Sequence, residues 1–238
     1  VLLIIAAAGI GISKSGFAGV GMLHVIIFAF VFGAKASTGV LLPMLVVGDC
    51  CAIWFFGKKV QWPVVRRLLP PALVGVVLGT LLMDRLDEAT FKPLVGSIIW
   101  LLTLVQIFRL WRPQAFEHVP HATWFVWFLG LLAGLTTMLA NAAGPVIALY
   151  LLAVALPKWE LVGTSAWFFL ALNLSKLPFS YGLGLISLES LWINLVFSPC
   201  ILVGMFGGRW LIHRVPQKLF DSFLLAFTAV AALRLILG

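Results

Sequence analysis

The chain repeats itself, and that repeat limits the folds open to it. Gly39-Val40-Leu41-Leu42, leading to Asp49, returns as Gly163-Thr164-Ser165-Ala166, leading to Asn173 (163 − 39 = 124 and 173 − 49 = 124). Pro71 and Gly79 return as Pro199 and Gly207 (199 − 71 = 128). Upstream, Gly21 matches Gly144 and Lys35 matches Lys158 (144 − 21 = 123). One half is a drifted copy of the other. In an apolar chain such symmetry is characteristic of secondary transporters, whose substrate site lies where the halves meet.

The background is apolar throughout. Of 238 residues, 63% are hydrophobic and 10% charged, against about 25% charged in soluble domains. The chain therefore folds in lipid. A crossing helix needs roughly 20 apolar residues, so about nine or ten crossings is the ceiling. The net charge of +8 does not indicate nucleic acid, because the basic residues sit in short loops beside apolar runs, where they set orientation. Cys50, Cys51 and Cys200 lie inside apolar runs and form neither a metal motif nor a disulfide framework; the Cys50-Cys51 pair reads as helix packing. The chain opens on Val1 rather than Met, so the first helix is expected to continue upstream, and no cleavable signal peptide is read.

The order of segments is the same in both halves. Val1 to Ile12 is apolar and breaks at Ser13-Lys14-Ser15-Gly16, with Gly19 and Gly21 following. A short segment, Val20 to Phe32, precedes full spans at Ala36–Phe56, Val64–Met83 and Phe91–Leu110. In the second half Trp124 to Ala140 breaks at Asn141-Ala142-Ala143-Gly144-Pro145. A short segment, Val146 to Leu156, then precedes spans at Leu161–Phe179, Leu191–Leu211 and Phe220–Leu237. The short segments are too short to cross alone, so they are expected to be re-entrant or steeply broken. The predicted fold is an all-α integral membrane protein of two inverted structural repeats with about 8–10 membrane segments. Its repeats are 1–112 and 123–238, joined by a linker at 113–122.

Loop charge carries the inverted reading. The loop from Gly57 to Arg67 holds Lys58, Lys59, Arg66 and Arg67, and its counterpart from Tyr181 to Glu189 holds no basic residue. The balanced loop Asp84–Lys92 is matched by Ile212–Lys218, which holds Arg214 and Lys218. Matching loops thus fall on opposite faces, with those near 58–67, 109–112 and 209–218 cytoplasmic. Trp54, Trp62, Trp111, Trp124 and Trp192, near span ends, read as interfacial anchors.

Five groups of residues stand out chemically. Ser13, Lys14, Ser15 and Gly16 offer hydroxyls, an ammonium and free N–H groups at a helix break, which suits an anion; a snorkelling lysine is the simpler alternative. Asn141, Gly144 and Pro145 open the matching break, or merely kink a helix. Thr164 and Ser165 open a span in which 165, 169, 173 and 176 share one face, bringing Asn173 and Lys176 together. Asp49, the mate of Asn173, is a mid-span acid that needs a partner such as Lys14 or Lys176, or a proton to relay. His24 is a second proton-coupling candidate, or a structural histidine.

These motifs resemble the TauE/SafE sulfite and organosulfonate exporters, of the TSUP type. The resemblance rests on the glycine-rich break at Gly16–Gly21, the Asn141–Pro145 break, Gly163-Thr164-Ser165, and Asn173 followed by Lys176, and covers essentially the whole chain. The first half reads Ser37-Thr38-Gly39-Val40 where the family often repeats Gly-Thr-Ser. The resemblance implies a multi-pass permease of the bacterial inner membrane exporting sulfite, sulfoacetate or related anions. Its partners are that substrate and lipid, a homo-oligomer being open, with no cofactor, metal or nucleic acid. Another small carboxylate or inorganic anion is the alternative substrate. A cation or metal permease would need clustered acids, thiolates or imidazoles, and Asp49 is the one clear mid-span acid. No HExxH, GxSxG or ATP-binding motif indicates an enzyme or a pump.

Overall fold

The computed structural model describes residues 1–16, 20–112, 114, 122–154, 156–211, 214 and 217–237. Among these it has ten α-helices and no strand. They are α1 (Leu2–Lys14), α2 (Gly21–Phe32), α3 (Ala34–Phe56), α4 (Trp62–Arg85), α5 (Glu88–Trp111), α6 (Thr123–Ala140), α7 (Gly144–Ala153), α8 (Lys158–Gly182), α9 (Leu188–Leu211) and α10 (Gln217–Leu237). Each apolar run of the sequence is one helix. Five of them are long and apolar enough to cross a bilayer by length and composition. Gly19, nearly all of the expected linker and most of the loop 212–218 lie outside the described residues.

Several helices start ahead of their apolar runs, at a polar cap or a proline. Asp87 accepts from the Thr90 N–H at 3.0 Å and starts α5 three residues before Phe91. Hydrogen bonding from Thr90 holds the Asp87 carboxyl below its usual range. Pro63 sits in the first turn of α4, where its missing N–H costs nothing. Likewise α8 starts at Lys158, after Pro157, so Gly163-Thr164-Ser165 lies in its second turn rather than at its opening.

The first short helix folds back as a hairpin. The Gly9 Cα faces Val20 and His24, and that of Gly21 faces the Ser13 hydroxyl, so α2 returns antiparallel along α1. Gly33, at φ +86, makes the tight turn into α3, a conformation that favours glycine. Glu88 fixes that turn: its carboxylate accepts from the N–H groups of Ala34 (2.7 Å) and Lys35 (3.2 Å).

The two halves pack crosswise. The first helix of each half lies on the fourth helix of the other, α1 on α9 and α6 on α4. Gly11 meets the backbone of Ile201 and Gly204, and Gly134 meets the backbone of Ala72 and Gly75. These two glycines stand at the repeat offset (134 − 11 = 123) and make the same close crossing. Between the pairs, α3 and α8 run antiparallel, for Gly39 meets Leu185 and Gly163 meets Phe56. Where they cross, the repeat mates Asn173 and Asp49 touch.

The outer faces are apolar. Trp54, Trp62, Trp111, Trp124 and Trp192 are all exposed there, as interfacial anchors require. Cys50 is also exposed, so the expectation that it packs between helices is corrected; Cys51 is partly buried, and both are free thiols. The step of about 100° between neighbours on a helix separates the two.

Candidate functional site

Both helix breaks open onto one cavity of about 510 Å³. At the first, α1 stops because Gly16, at φ +119, leaves the helical region; the Ser15 N–H and hydroxyl close the last turn on the Gly11 and Ile12 carbonyls. At the second, Asn141 takes a left-handed conformation (φ 50). Its N–H and that of Ala142 return to Thr137 and Thr136, a glycine-type C-cap carried by an asparagine. Gly144 and Pro145 then start α7. The N-terminal residues of α2 and α7, Gly21 and Gly144, both line the cavity, so two helix ends of positive partial charge converge on it.

A continuous polar network backs this cavity. The Lys14 ammonium donates to and ion-pairs with Asp49 Oδ1. Asn173 Nδ2 donates to Asp49 Oδ2 at 2.7 Å. Lys176 Nζ donates to Asn141 Oδ1 (2.5 Å), Thr137 Oγ1 (3.2 Å) and Asn173 Oδ1 (3.4 Å). Asn141 Nδ2 in turn donates to the Thr38 carbonyl at 2.9 Å. Four helices, α1, α3, α6 and α8, are tied together by these side chains. Two ammoniums share one carboxylate, so the ionised network carries one net positive charge.

Burial divides the roles. Asp49 is 0% and Lys176 1% exposed, and neither lines the cavity. The Lys14 side chain is 15% exposed, lines the cavity, and holds its ammonium 4.7 Å from the centre of the Phe169 ring. Of the two ammoniums, Lys14 is therefore the one on the cavity wall. Lys176 stands behind, setting the orientation of two asparagine amides that do reach the cavity.

Of the residues singled out from sequence, Ser13, Lys14, Gly16, His24, Asn141, Gly144, Pro145, Ser165 and Asn173 line this one cavity. Ser15 and Thr164 do not. Ser15 packs against Gly208 of α9, and the Thr164 hydroxyl accepts from the Gln61 N–H at 2.9 Å, holding the α3–α4 turn. Sequence reading missed Thr137 and Arg109, both on the cavity wall. Thr137 is the repeat mate of Lys14 (137 − 14 = 123), a signal present in the sequence. Arg109, in the last turn of α5, reads from sequence as one more basic residue of a cytoplasmic loop.

Residues 2–235 match the model of the family described as "Sulfite exporter TauE/SafE". Neither the comparison with curated proteins nor that with solved structures gives a match.

Proposed function

The chain belongs to the TauE/SafE sulfite exporter family, and from that premise and the site geometry we propose a secondary transporter that moves small sulfur-containing anions out of the cell by alternating access. One observation carries the reading. Two broken helices aim their N-terminal ends, and Lys14 its ammonium, at one cavity backed by a network with excess positive charge. Such a site attracts an anion and repels a cation. An oxyanion seated there accepts hydrogen bonds from Lys14, from the Ser13 hydroxyl, from the second N–H of the Asn141 and Asn173 amides, and from N–H groups at Gly21 and Gly144, while the Ser165 hydroxyl donates to the Leu161 carbonyl.

The two halves serve as inverted repeats in this reading. The antiparallel course of α3 against α8 and the crosswise packing support it. The cavity extends along the first turns of α8, at Leu161 and Val162, and past Ala52 and Arg109. That is the end where the α3–α4 turn carries Lys58 and Lys59. By the positive-inside rule this end faces the cytoplasm, so the cavity takes its substrate from inside the cell, as export requires. Asp49 is the candidate for proton coupling: an anion arriving on Lys14 competes with its carboxylate, which a proton then neutralises.

The test is purified protein in liposomes, with flux and thermal stabilisation measured against sulfite, sulfate, sulfoacetate, taurine and acetate. Saturable flux of a sulfur oxyanion, with stabilisation by the same ion, is expected. Acetate outperforming every sulfur anion would move the assignment to carboxylates. No flux and no stabilisation with any of them would end it.

A further inference from the structure

His24 stands in the first turns of α2, just after the first helix break. It is 3% exposed and lines the cavity, yet its ring exchanges no hydrogen bond with the network of Lys14, Asp49, Asn173 and Lys176. Nδ1 is enclosed and has no partner at hydrogen-bonding geometry. The backbone group that acts on the ring is the Val20 carbonyl, one turn earlier on α2. Nε2 has no hydrogen bond either, but it is not enclosed, so it is the edge of the ring that opens to the cavity.

These surroundings choose the tautomer. A proton on Nδ1 points toward the Val20 carbonyl. A proton on Nε2 would instead leave the Nδ1 lone pair against that carbonyl oxygen. The environment of one ring nitrogen sets the role of the other, so Nε2 turns a lone pair to the cavity. The charges nearby suit a neutral ring. Among the helices packed against α2, α1 brings Lys14, whose charge reaches the imidazole, and α3 brings Asp49, already held by Lys14 and Asn173. From α5, Arg109 reaches the cavity wall, while Arg234 of α10 is exposed. The N-terminal end of α2 adds its own positive partial charge. The cavity thus meets an anion with donors on most sides and, at His24, with an acceptor.

We propose that His24 accepts a hydrogen bond from the substrate through Nε2, and that the cavity selects a singly protonated oxyanion, such as the O–H form of hydrogen sulfite, over the dianion. This rests on the anion-transport reading and specifies the ionic form that is carried. The oxygen bearing the hydrogen points to His24, and the remaining oxygens point to Lys14, Asn141 and Asn173. A dianion has no hydrogen for the ring and sets an oxygen lone pair against that of Nε2.

The experiment measures affinities of the purified, monodisperse full chain for sulfite and methanesulfonate, by calorimetry or thermal shift, at two pH values. Sulfite gives up its second proton near neutrality. Methanesulfonate stays a monoanion and registers any titration of the protein itself. A ligand that binds only with its proton loses affinity about tenfold per pH unit above its own pKa, so the sulfite-to-methanesulfonate affinity ratio of the parent should fall about tenfold from about pH 7.5 to about pH 8.5. His24→Gln, which keeps a carbonyl acceptor but takes up no proton, should show the same fall. In His24→Leu the ratio should stay nearly flat. A flat ratio in the parent, or a fall that survives His24→Leu, overturns the proposal. So does a fall lost in His24→Gln, which would put the proton on the ring. Sulfite binding in any of these cases leaves the transporter reading standing, and failure of both anions to bind at either pH overturns both.

Discussion

Replacing Asp49 with asparagine should weaken the protein and strengthen its hold on anions. The side chain keeps its size but loses the only carboxylate in a network with two ammoniums. Asp49 also accepts from Asn173 Nδ2 at 2.7 Å. With an amide in place, its single oxygen serves only one of the two donors: facing Asn173 it sets its NH2 against the Lys14 ammonium, and facing Lys14 it sets its NH2 against that of Asn173 unless Asn173 turns over and points its own NH2 at the Lys176 ammonium. Removing one partner of a buried pair costs about 3–5 kcal/mol. Lys14 is partly exposed, so the lower figure applies, a fall in Tm on the order of 10 °C. The effect on binding has the opposite sign. In the parent, an anion on Lys14 is repelled by the Asp49 carboxylate. At roughly 6 Å that repulsion is about 3 kcal/mol for an effective dielectric of 20 and under 1 kcal/mol in water. Asp49→Asn should therefore bind sulfite on the order of tenfold more tightly, and sulfite should restore much of the lost Tm. Thermal unfolding with and without a sulfite titration measures both. A lower Tm with unchanged or weaker sulfite affinity would refute the competition between Asp49 and substrate. The same variant, in liposomes, should keep anion exchange but lose pH-driven accumulation. Accumulation equal to the parent's would make Asp49 purely structural.

Lys176→Gln should weaken sulfite binding about tenfold without loss of insertion, because Asn141 and Asn173 lose the donor that orients them; Lys176→Arg should not restore it, since the guanidinium fork does not fit a point-ammonium site, and an unchanged affinity in Lys176→Gln would remove this residue from the site. Gly11→Leu and Gly134→Leu should both abolish monodisperse folded protein in size-exclusion chromatography, as even a Cβ there comes within 2.0 and 1.9 Å of a carbonyl oxygen on the crossing helix, whereas Gly207→Ala, which meets nothing within 4 Å, should behave as the parent. Single cysteines at 58 and 184, in a background lacking the native three, should label from opposite faces of the membrane; labelling from one face would return the halves to a parallel repeat.

The long apolar helices, the two breaks and the short helices after them were legible in the sequence because each has a local cause: apolar length for the long helices, Gly16 and Asn141-to-Pro145 for the breaks. What joins the pieces was not local. A mid-span acid called for Lys14 or Lys176 as its partner, but that Lys14 is the one on Asp49 while Lys176 meets Asn141 depends on how α1, α3, α6 and α8 pack together, which no single segment specifies. Ser15 and Thr164 fell outside the cavity because each is one position, about 100° of helix, from a residue that faces it. Arg109 escaped notice because a basic residue in a last turn looks alike whether it faces water or a cavity.

Asp49 and Asn173 are repeat mates, and they touch where α3 and α8 cross. At such a self-meeting position the duplicated residue contacts its own copy. Two aspartates would set like charges within hydrogen-bond distance and force them to share a proton; two asparagines would leave two ammoniums with no carboxylate. One aspartate and one asparagine give a carboxylate with a built-in donor. The neighbouring mates have diverged in the same sense, Lys14 against Thr137 and Ala52 against Lys176 (176 − 52 = 124). The first-half lysine thus stands on α1 and the second-half lysine on α8, both near the single acid. The backbone keeps the repeat, and the site departs from it where symmetric charges cannot coexist.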